Sequence, residues 1–155
     1  MISKACKYGI RAAAFVASKA EAGIKLTVKD IAKEVDAPEA FTAKILQKLN
    51  KKRVLNSLKG PYGGFYIEQF QLEQPVINIV NAIDGMSVFR ECGLGLKQCS
   101  EKHPCPMHNQ YAEIRKALLD SFQQTTIGQL AYEVNEGAAF ISNIKMDERF
   151  IPAVV

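Results

Sequence analysis

Thr27-Val-Lys-Asp-Ile-Ala-Lys-Glu-Val-Asp-Ala-Pro-Glu-Ala-Phe-Thr-Ala-Lys-Ile-Leu-Gln-Lys-Leu-Asn50, continued after three residues by Val54-Leu-Asn-Ser-Leu-Lys-Gly-Pro-Tyr-Gly-Gly-Phe-Tyr-Ile67, is the stretch that decides the fold. Thr27 and Asp30 stand at capping-box spacing, and Val28, Ile31, Ala32 and Val35 are placed at i, i+3, i+4 and i+7, which predicts a helix of about two turns. Asp36-Ala-Pro38-Glu39 breaks the chain, with Pro38 expected at the first position of the next helix, where its missing N–H costs nothing. In that helix Phe41, Ile45 and Leu49 are expected to face inward. Thr42, Ala43, Lys44, Gln47, Lys48 and Lys51 occupy the opposite face. Two short helices joined by a tight turn make a helix-turn-helix, whose second helix enters the major groove of DNA. Alone, the polar face reads sooner as a solvated surface than as a DNA contact. The residues after Arg53 argue otherwise: Val54 to Leu58 predicts a strand, Lys59 to Gly64 a glycine-rich turn and Phe65 to Ile67 a returning strand, so the helix pair continues into a β-hairpin wing.

Upstream, Ser3 to about Ala22 is rich in Ala, with Tyr8, Arg11, Ala12, Phe15 and Val16 spaced by three and four, predicting a helix that buries an apolar face together with the aliphatic part of Arg11. Gly23 ends it. The 155 residues are 48% apolar, which suits one globular domain with an appended element. The net charge of +4 is unevenly spread: residues 1–60 hold 13 Lys/Arg against 5 Asp/Glu, a net +8, and residues 61–155 hold 7 against 11, a net −4. A basic N-terminal half suits a polyanion, and the acidic remainder excludes uniform coating by nucleic acid. No stretch approaches the roughly 20 apolar residues of a membrane span. The run Ala12 to Ala17 is too short for a secretory core, so a cytoplasmic location is expected. There thiols are kept reduced, and grouped cysteines serve as ligands or sensors.

Three of the four cysteines are grouped, as Cys92-x(6)-Cys99-x(5)-Cys105, with His108 three residues on. Three thiolates and one imidazole suit an iron-sulfur cluster or a tetrahedral zinc site, although the short C-x(2)-C knuckles typical of structural zinc are missing. A clusterless thiol sensor, in which two cysteines form a reversible disulfide, is the third reading. Pro104 and Pro106 bracket Cys105 and stiffen the backbone there. His103 is a weaker rival to His108. Cys6, alone in the Ala-rich helix, reads as a small buried hydrophobe before it reads as a substitute ligand. Beyond the loop, Tyr111, Ile114, Leu118, Phe122 and Thr125 keep a three-four-four-three spacing over about Met107 to Thr125. That stripe asks for a partner helix.

Lys7-Tyr-Gly-Ile-Arg-Ala12, Val28-Lys-Asp-Ile-Ala-Lys33, Phe41 to Leu49, Val54 to Phe65 and Val76 to Gly85, ending in Asp84-Gly85 before a cysteine loop, resemble the Rrf-two family of bacterial winged-helix transcription regulators, over about Ile2 to Gln129. That family includes the iron-sulfur regulator IscR, the nitric-oxide sensor NsrR and the cluster-free cysteine regulator CymR. The resemblance implies a homodimer on a pseudo-palindromic double-stranded operator, with Cys92, Cys99 and Cys105 as cluster ligands and His108 where the IscR-like branch has its histidine. The NsrR-like branch uses a carboxylate at the position of Lys7, a poor ligand. The first gap is six residues here where five is common, Thr42 stands where a leucine is common and Pro38 where a serine cap is common, so the operator sequence does not transfer.

The expected fold class is mainly α with a small β-hairpin wing. A winged helix-turn-helix DNA-binding domain spans 1–85, a cysteine-rich cluster-binding loop 86–108, a long dimerisation helix 109–130 and a C-terminal extension 131–155. In its last residues Ala138-Ala-Phe-Ile141 and Phe150-Ile151 suggest packing. The expected DNA contacts are Thr42, Lys44 and Gln47 at base edges, Lys48 and Lys51 at phosphates, and Lys59 with Tyr62 at the wing. The expected function is a homodimeric repressor sensing redox state, nitric oxide or iron-sulfur status through a two-iron cluster, ahead of a four-iron form. Control by zinc, thiol oxidation or a partner protein is the alternative. An enzyme is not expected: the chain has no nucleotide loop, no C-x-x-C pair and no carboxylate beside His108 to orient it.

Overall fold

A computed structural model of the chain describes residues 1–143; Phe150 and Ile151 lie outside them. Helix α1 (Lys4–Ser18) is the central rod. Its start is capped by the Ser3 hydroxyl, which accepts from the Cys6 amide, and Cys6, Gly9, Ala12, Ala13, Ala14, Val16 and Ala17 are buried along it. The small side chains let neighbouring helices approach closely. Helix α2 (Val28–Glu34) begins with the capping box expected from Thr27 and Asp30, and α3 (Glu39–Lys51) comes next with Pro38 as its N-cap, one residue before the expected position. Between them Asp36 takes a left-handed φ of 53°, a conformation that Asp tolerates better than most residues.

The wing is β1 (Asn56–Leu58) paired antiparallel with β2 (Gly64–Tyr66), with Asn56 opposite Tyr66 and Leu58 opposite Gly64. Leu26, just before α2, adds a bridge on the other edge of β2 by exchanging two backbone hydrogen bonds with Phe65 at 2.9 and 2.7 Å. The wing is thereby sewn to the helix-turn-helix. Gly64 holds φ +149°, and a Cβ on it would lie 2.7 Å from the Leu26 carbonyl oxygen, so the bridge requires glycine there.

Helices α4 (Gln69–Leu72) and α5 (Ile77–Ile83) return the chain to α1, and a single 3-10 turn (Ser87–Phe89) leads into the cysteine loop. The span expected as one dimerisation helix, 109–130, is two helices: α6 (His108–Gln124) and α7 (Ile127–Asn135). Thr125 is extended, and Thr126 starts a new capping box with Gln129. The break lets α7 bury Ile127 and Ala131 in the main core, which also holds Ile31, Leu46, Leu49, Leu55 and Ile79. A smaller cluster beneath the loop joins Cys6, Ile77 and Val80 with the half-buried Phe89, Leu119 and Phe122.

A Cβ on Gly63 would overlap the Leu58 backbone carbonyl, which cannot move without opening the hairpin. Gly63→Ala is therefore expected to cost roughly 1–3 kcal/mol in chemical denaturation and to expose the Leu58 and Phe65 amides to exchange, while the helices stay protected.

Candidate DNA-binding face and cysteine centre

Lys44, Gln47, Lys48 and Lys51 are exposed on α3 as expected. Thr42 is not. It is only 2% exposed and lies on the buried stripe Thr42, Ile45, Leu46, Leu49, so its expected place at a base edge is corrected to a packing role. The inward stripe runs one residue later than Phe41-Ile45-Leu49 implies, because Leu46 is fully buried while Phe41 is half-buried and packs edge-on against Tyr8, with centroids 5.5 Å apart. At the wing Lys59 is exposed and Tyr62 is 92% exposed. Two further exposed cations, Lys52 and Arg53, lie between α3 and the wing. Their signal was the basic run Lys51-Lys-Arg53, which the helix pattern left unused.

Sequence reasoning also passed over Gln71, which is fully buried. Its amide nitrogen donates to the Arg53 carbonyl at 3.0 Å and to the Asn56 side chain at 3.1 Å, and its oxygen accepts from Asn56 and from the Glu68 amide. This side chain holds the base of the wing. Gln74 donates to the same Arg53 carbonyl, and its own carbonyl accepts from the Ile127 amide. No signal short of the fold marks a glutamine as buried.

The cysteine loop folds into successive turns: the Gly95 amide bonds to Cys92, the Cys99 amide to Leu96, and Ser100 and His103 bond each other's backbone. Gly95, in the first gap, takes a left-handed φ of +74°. The Sγ atoms of Cys92, Cys99 and Cys105 lie within 4.8 Å of one another, and all three are free thiols. Cys92 and Cys105 approach to 3.6 Å, and Cys99 Sγ lies 3.1 Å from His108 Nδ1. His103 is exposed and joins through its backbone alone among the described contacts.

Backbone amides decide the electrostatics. The Leu96 and Leu94 N–H groups point at the Cys92 sulfur and, with the neighbouring thiols, bring it down to about 7. Desolvation pushes Cys105 up. Cys6 is fully buried among Ile77 and Val80, away from the grouped thiols, and burial together with the nearby Asp84 charge pushes it up to about 12. It is the small hydrophobe its setting suggested. Asp84 stands where the loop begins: it accepts from the Ser3 amide at 2.7 Å and from the Ser3 hydroxyl at 2.5 Å. At the other end of the loop His108 opens α6.

Residues 2–133 match the Rrf2 family, described as an iron-dependent transcriptional regulator. The chain belongs to the Rrf2 family. It is 30% identical over 132 residues, 84% of this chain and 90% of the relative, to a protein of Aquifex aeolicus described as an HTH-type transcriptional regulator. An rrf2-like relative from Rhodobacter capsulatus is 23% identical over 154 residues, spanning 92% of this chain and all of the relative. Among solved structures, CymR, the global cysteine regulator of B. subtilis, superposes with a TM-score of 0.69 at 20% identity, over 85% of this chain and 96% of that one. T. potens IscR superposes with a TM-score of 0.68 at 16% identity, over 90% and 91%. The two structures show the shared winged-helix fold. This Rrf2 protein is a transcription regulator and not an enzyme, and three proximal cysteines give it a group able to bind metal. Among the described residues no helix is long and apolar enough to cross a membrane.

In the metal-free protein, alkylation monitored peptide by peptide is expected to label Cys92 with a midpoint near pH 7, Cys105 at higher pH, and Cys6 only after unfolding. On the basic face, Lys48→Ala is expected to weaken duplex binding more at low salt than at high salt and to lower the slope of log K against log[salt] by about 1.

Proposed function

We propose that this Rrf2 protein is a homodimeric DNA-binding repressor whose operator affinity is set by an iron-sulfur cluster held by Cys92, Cys99, Cys105 and His108. The observation that carries the reading is the pairing of the donors: Cys92 with Cys105 at 3.6 Å, and Cys99 with His108 at 3.1 Å. Ligands about 2.0–2.3 Å from a tetrahedral metal stand roughly 3.3–3.8 Å from each other. The Cys92–Cys105 pair falls in that range and the Cys99–His108 pair just short of it, so each pair could take one iron with a small widening of the second, which favours a two-iron form over a four-iron one. The donor set fits chemically: among the described residues the three free thiols and the imidazole nitrogen contact one another and backbone amides that point at sulfur, and such amides can stay in place when a thiolate binds metal. Zinc in the same donors is the second reading, supported by the mutual closeness of the three sulfurs.

A bound cluster supplies a centre that oxidants and nitric oxide attack and that iron scarcity withdraws. The protein residues convert its presence into geometry. Cys92, Cys99 and Cys105 drawn to one centre fix a loop whose start, Asp84, is bonded to the cap of α1 and whose end is the first residue of α6. His108 would bind through a neutral imidazole nitrogen, the form that carries a free lone pair.

The division into a DNA-binding unit over 1–85, a ligand loop over 86–108 and a dimerisation segment from 109 to 130 belongs to this proposal. The dimer is supported by α6, which among the described residues has no fully buried side chain and leaves Ile114 60% exposed. On DNA we assign Lys44 and Gln47 to base edges, Lys48 and Lys51 to phosphates, and Lys59 and Tyr62 to the wing contact, two recognition helices being spaced by one turn of roughly 34 Å.

Anaerobically purified protein is expected to show visible charge-transfer bands, iron and sulfide in equal amounts near two per chain, and dimer mass in light scattering. Cys99→Ser should abolish the bands and His108→Ala should shift them. A colourless protein with stoichiometric zinc would replace the cluster by the second reading. A colourless protein binding neither metal after reconstitution would overturn both.

A further inference from the structure

The family match ends at residue 133, yet residues 134–141 beyond it are built into the fold. Helix α7 closes at Glu136, Gly137 takes a φ of +70°, and the amides of Ala138 and Ala139 both donate to the Glu133 carbonyl. This end turns the chain back toward α1. The Asn135 side chain donates to the Ser18 carbonyl at the end of α1, and six residues later the Ile141 carbonyl accepts from Arg11 Nε. Ser18 and Arg11 are seven residues apart, so the segment covers about 10 Å of α1.

Arg11 is the junction. While Nε reaches Ile141, an Nη donates to the Val35 carbonyl at 2.5 Å, and the guanidinium lies 4.7 Å from the centre of the Tyr8 ring. Val35 is the C-cap of α2, where an unsatisfied carbonyl and the negative end of the helix dipole favour a cation. Tyr8 in turn donates its hydroxyl to the carbonyl of Asp36, the left-handed residue of the turn, at 3.4 Å and packs edge-on against Phe41 in the first turn of α3. One guanidinium therefore fastens both the tail after α7 and the turn that aims α3. Its planar fork is suited to two carbonyls at once, which a single ammonium is not.

We propose that Arg11 is a positioning residue for DNA recognition and that residues 137–143 are a strap that holds it in place, so that the tail sets how α3 is presented to the major groove. The proposal rests on the reading of α3 as the DNA-contacting helix. It predicts an effect on selective binding, not on general attraction to a polyanion, because residues 138–155 contain two basic and two acidic side chains and their removal leaves net charge unchanged.

The test compares the full chain with versions ending at Asn143 and at Gly137, and with full-length Arg11→Lys. The probes are a duplex enriched by the full chain from a random 30-base-pair library and an unrelated duplex of equal length. Amide exchange is read on the free proteins. The version ending at Asn143 should match the full chain. The version ending at Gly137 and Arg11→Lys should each bind the enriched duplex about tenfold more weakly, the scale of one charge-assisted hydrogen bond. Both should bind the unrelated duplex as before, and should exchange faster at Asp36 and Ala37 with Leu46 and Leu49 still protected. Unchanged affinity and exchange in the version ending at Gly137 would overturn the strap, as would equal loss on both duplexes, faster exchange throughout α1 to α3, or a loss already complete in the version ending at Asn143. If the full chain enriched no duplex, the DNA reading itself would fail, while exchange at Asp36 and Ala37 would still decide whether the strap holds the turn.

Discussion

The close packing of small side chains along α1 is the constraint on which the rest of the molecule depends. Gly9, Ala12, Ala13 and Ala17 leave room for helices α2, α3, α5 and α7 to pack on one rod, and three parts of the chain are tied to that rod by polar contacts at different heights. At its start Ser3 holds Asp84 and with it the beginning of the cysteine loop. At its middle Arg11 and Tyr8 hold the turn before α3. At its end Ser18 accepts from Asn135. A rotation of one element about α1 must therefore be answered by the others or break one of these bonds.

A second set of contacts joins α6 to the wing without passing through α1. Where α6 ends, the Thr125 carbonyl accepts from Val76, and the Ile127 amide that begins α7 donates to the Gln74 carbonyl. Gln74 and Gln71 both donate to the carbonyl of Arg53, which lies just past α3 at a left-handed φ of 57°. The buried amide of Gln71 also fixes Asn56 at the base of β1. The loop therefore bears on the DNA-binding unit at two places: through Asp84 at its start, and through the length of α6 beyond its end. Such a contiguous set of contacts is a physical route for coupling, although it becomes allosteric only where two arrangements differ in their affinity for a ligand.

The helix-turn-helix and wing were legible in the sequence because they rest on local chemistry: the Thr27/Asp30 box, the proline before α3, and glycines that a hairpin requires. The grouping of Cys92, Cys99 and Cys105 was legible from spacing, and the structure brings their sulfurs together. Thr42 was misread for a reason that is also physical. A stripe at 41, 45 and 49 and one at 42, 45, 46 and 49 share two of their members, and a threonine is small enough to be buried under the second. The stripe of α6 put its end near Thr125, where the structure has it, but the span 109–130 ran past it as one helix, because the Thr126/Gln129 box that starts α7 is a weak signal amid polar residues. Gln71 and Arg11 were invisible as joints, since nothing local tells a buried amide or a shared guanidinium from an exposed one.

The strength of these joints matters to how such a protein can be switched. A typical intramolecular hydrogen bond is worth about 0.5–1.5 kcal/mol, and one to a charged group about 1.5–3 kcal/mol, whereas removing a buried aliphatic side chain such as Leu46 or Ile79 costs about 2–5 kcal/mol. Coupling between sites is commonly about 1–3 kcal/mol. The polar joints lie on that scale and the apolar core lies above it. A loop that gains or loses order at Asp84 and His108 can exchange one or two joints and re-aim α3 and the wing while Leu46, Leu49, Leu55 and Ile79 stay packed. Division of labour between a core that does not yield and polar joints that do is what the proposed switching requires: the fold stays one while the joints around α3 are exchanged.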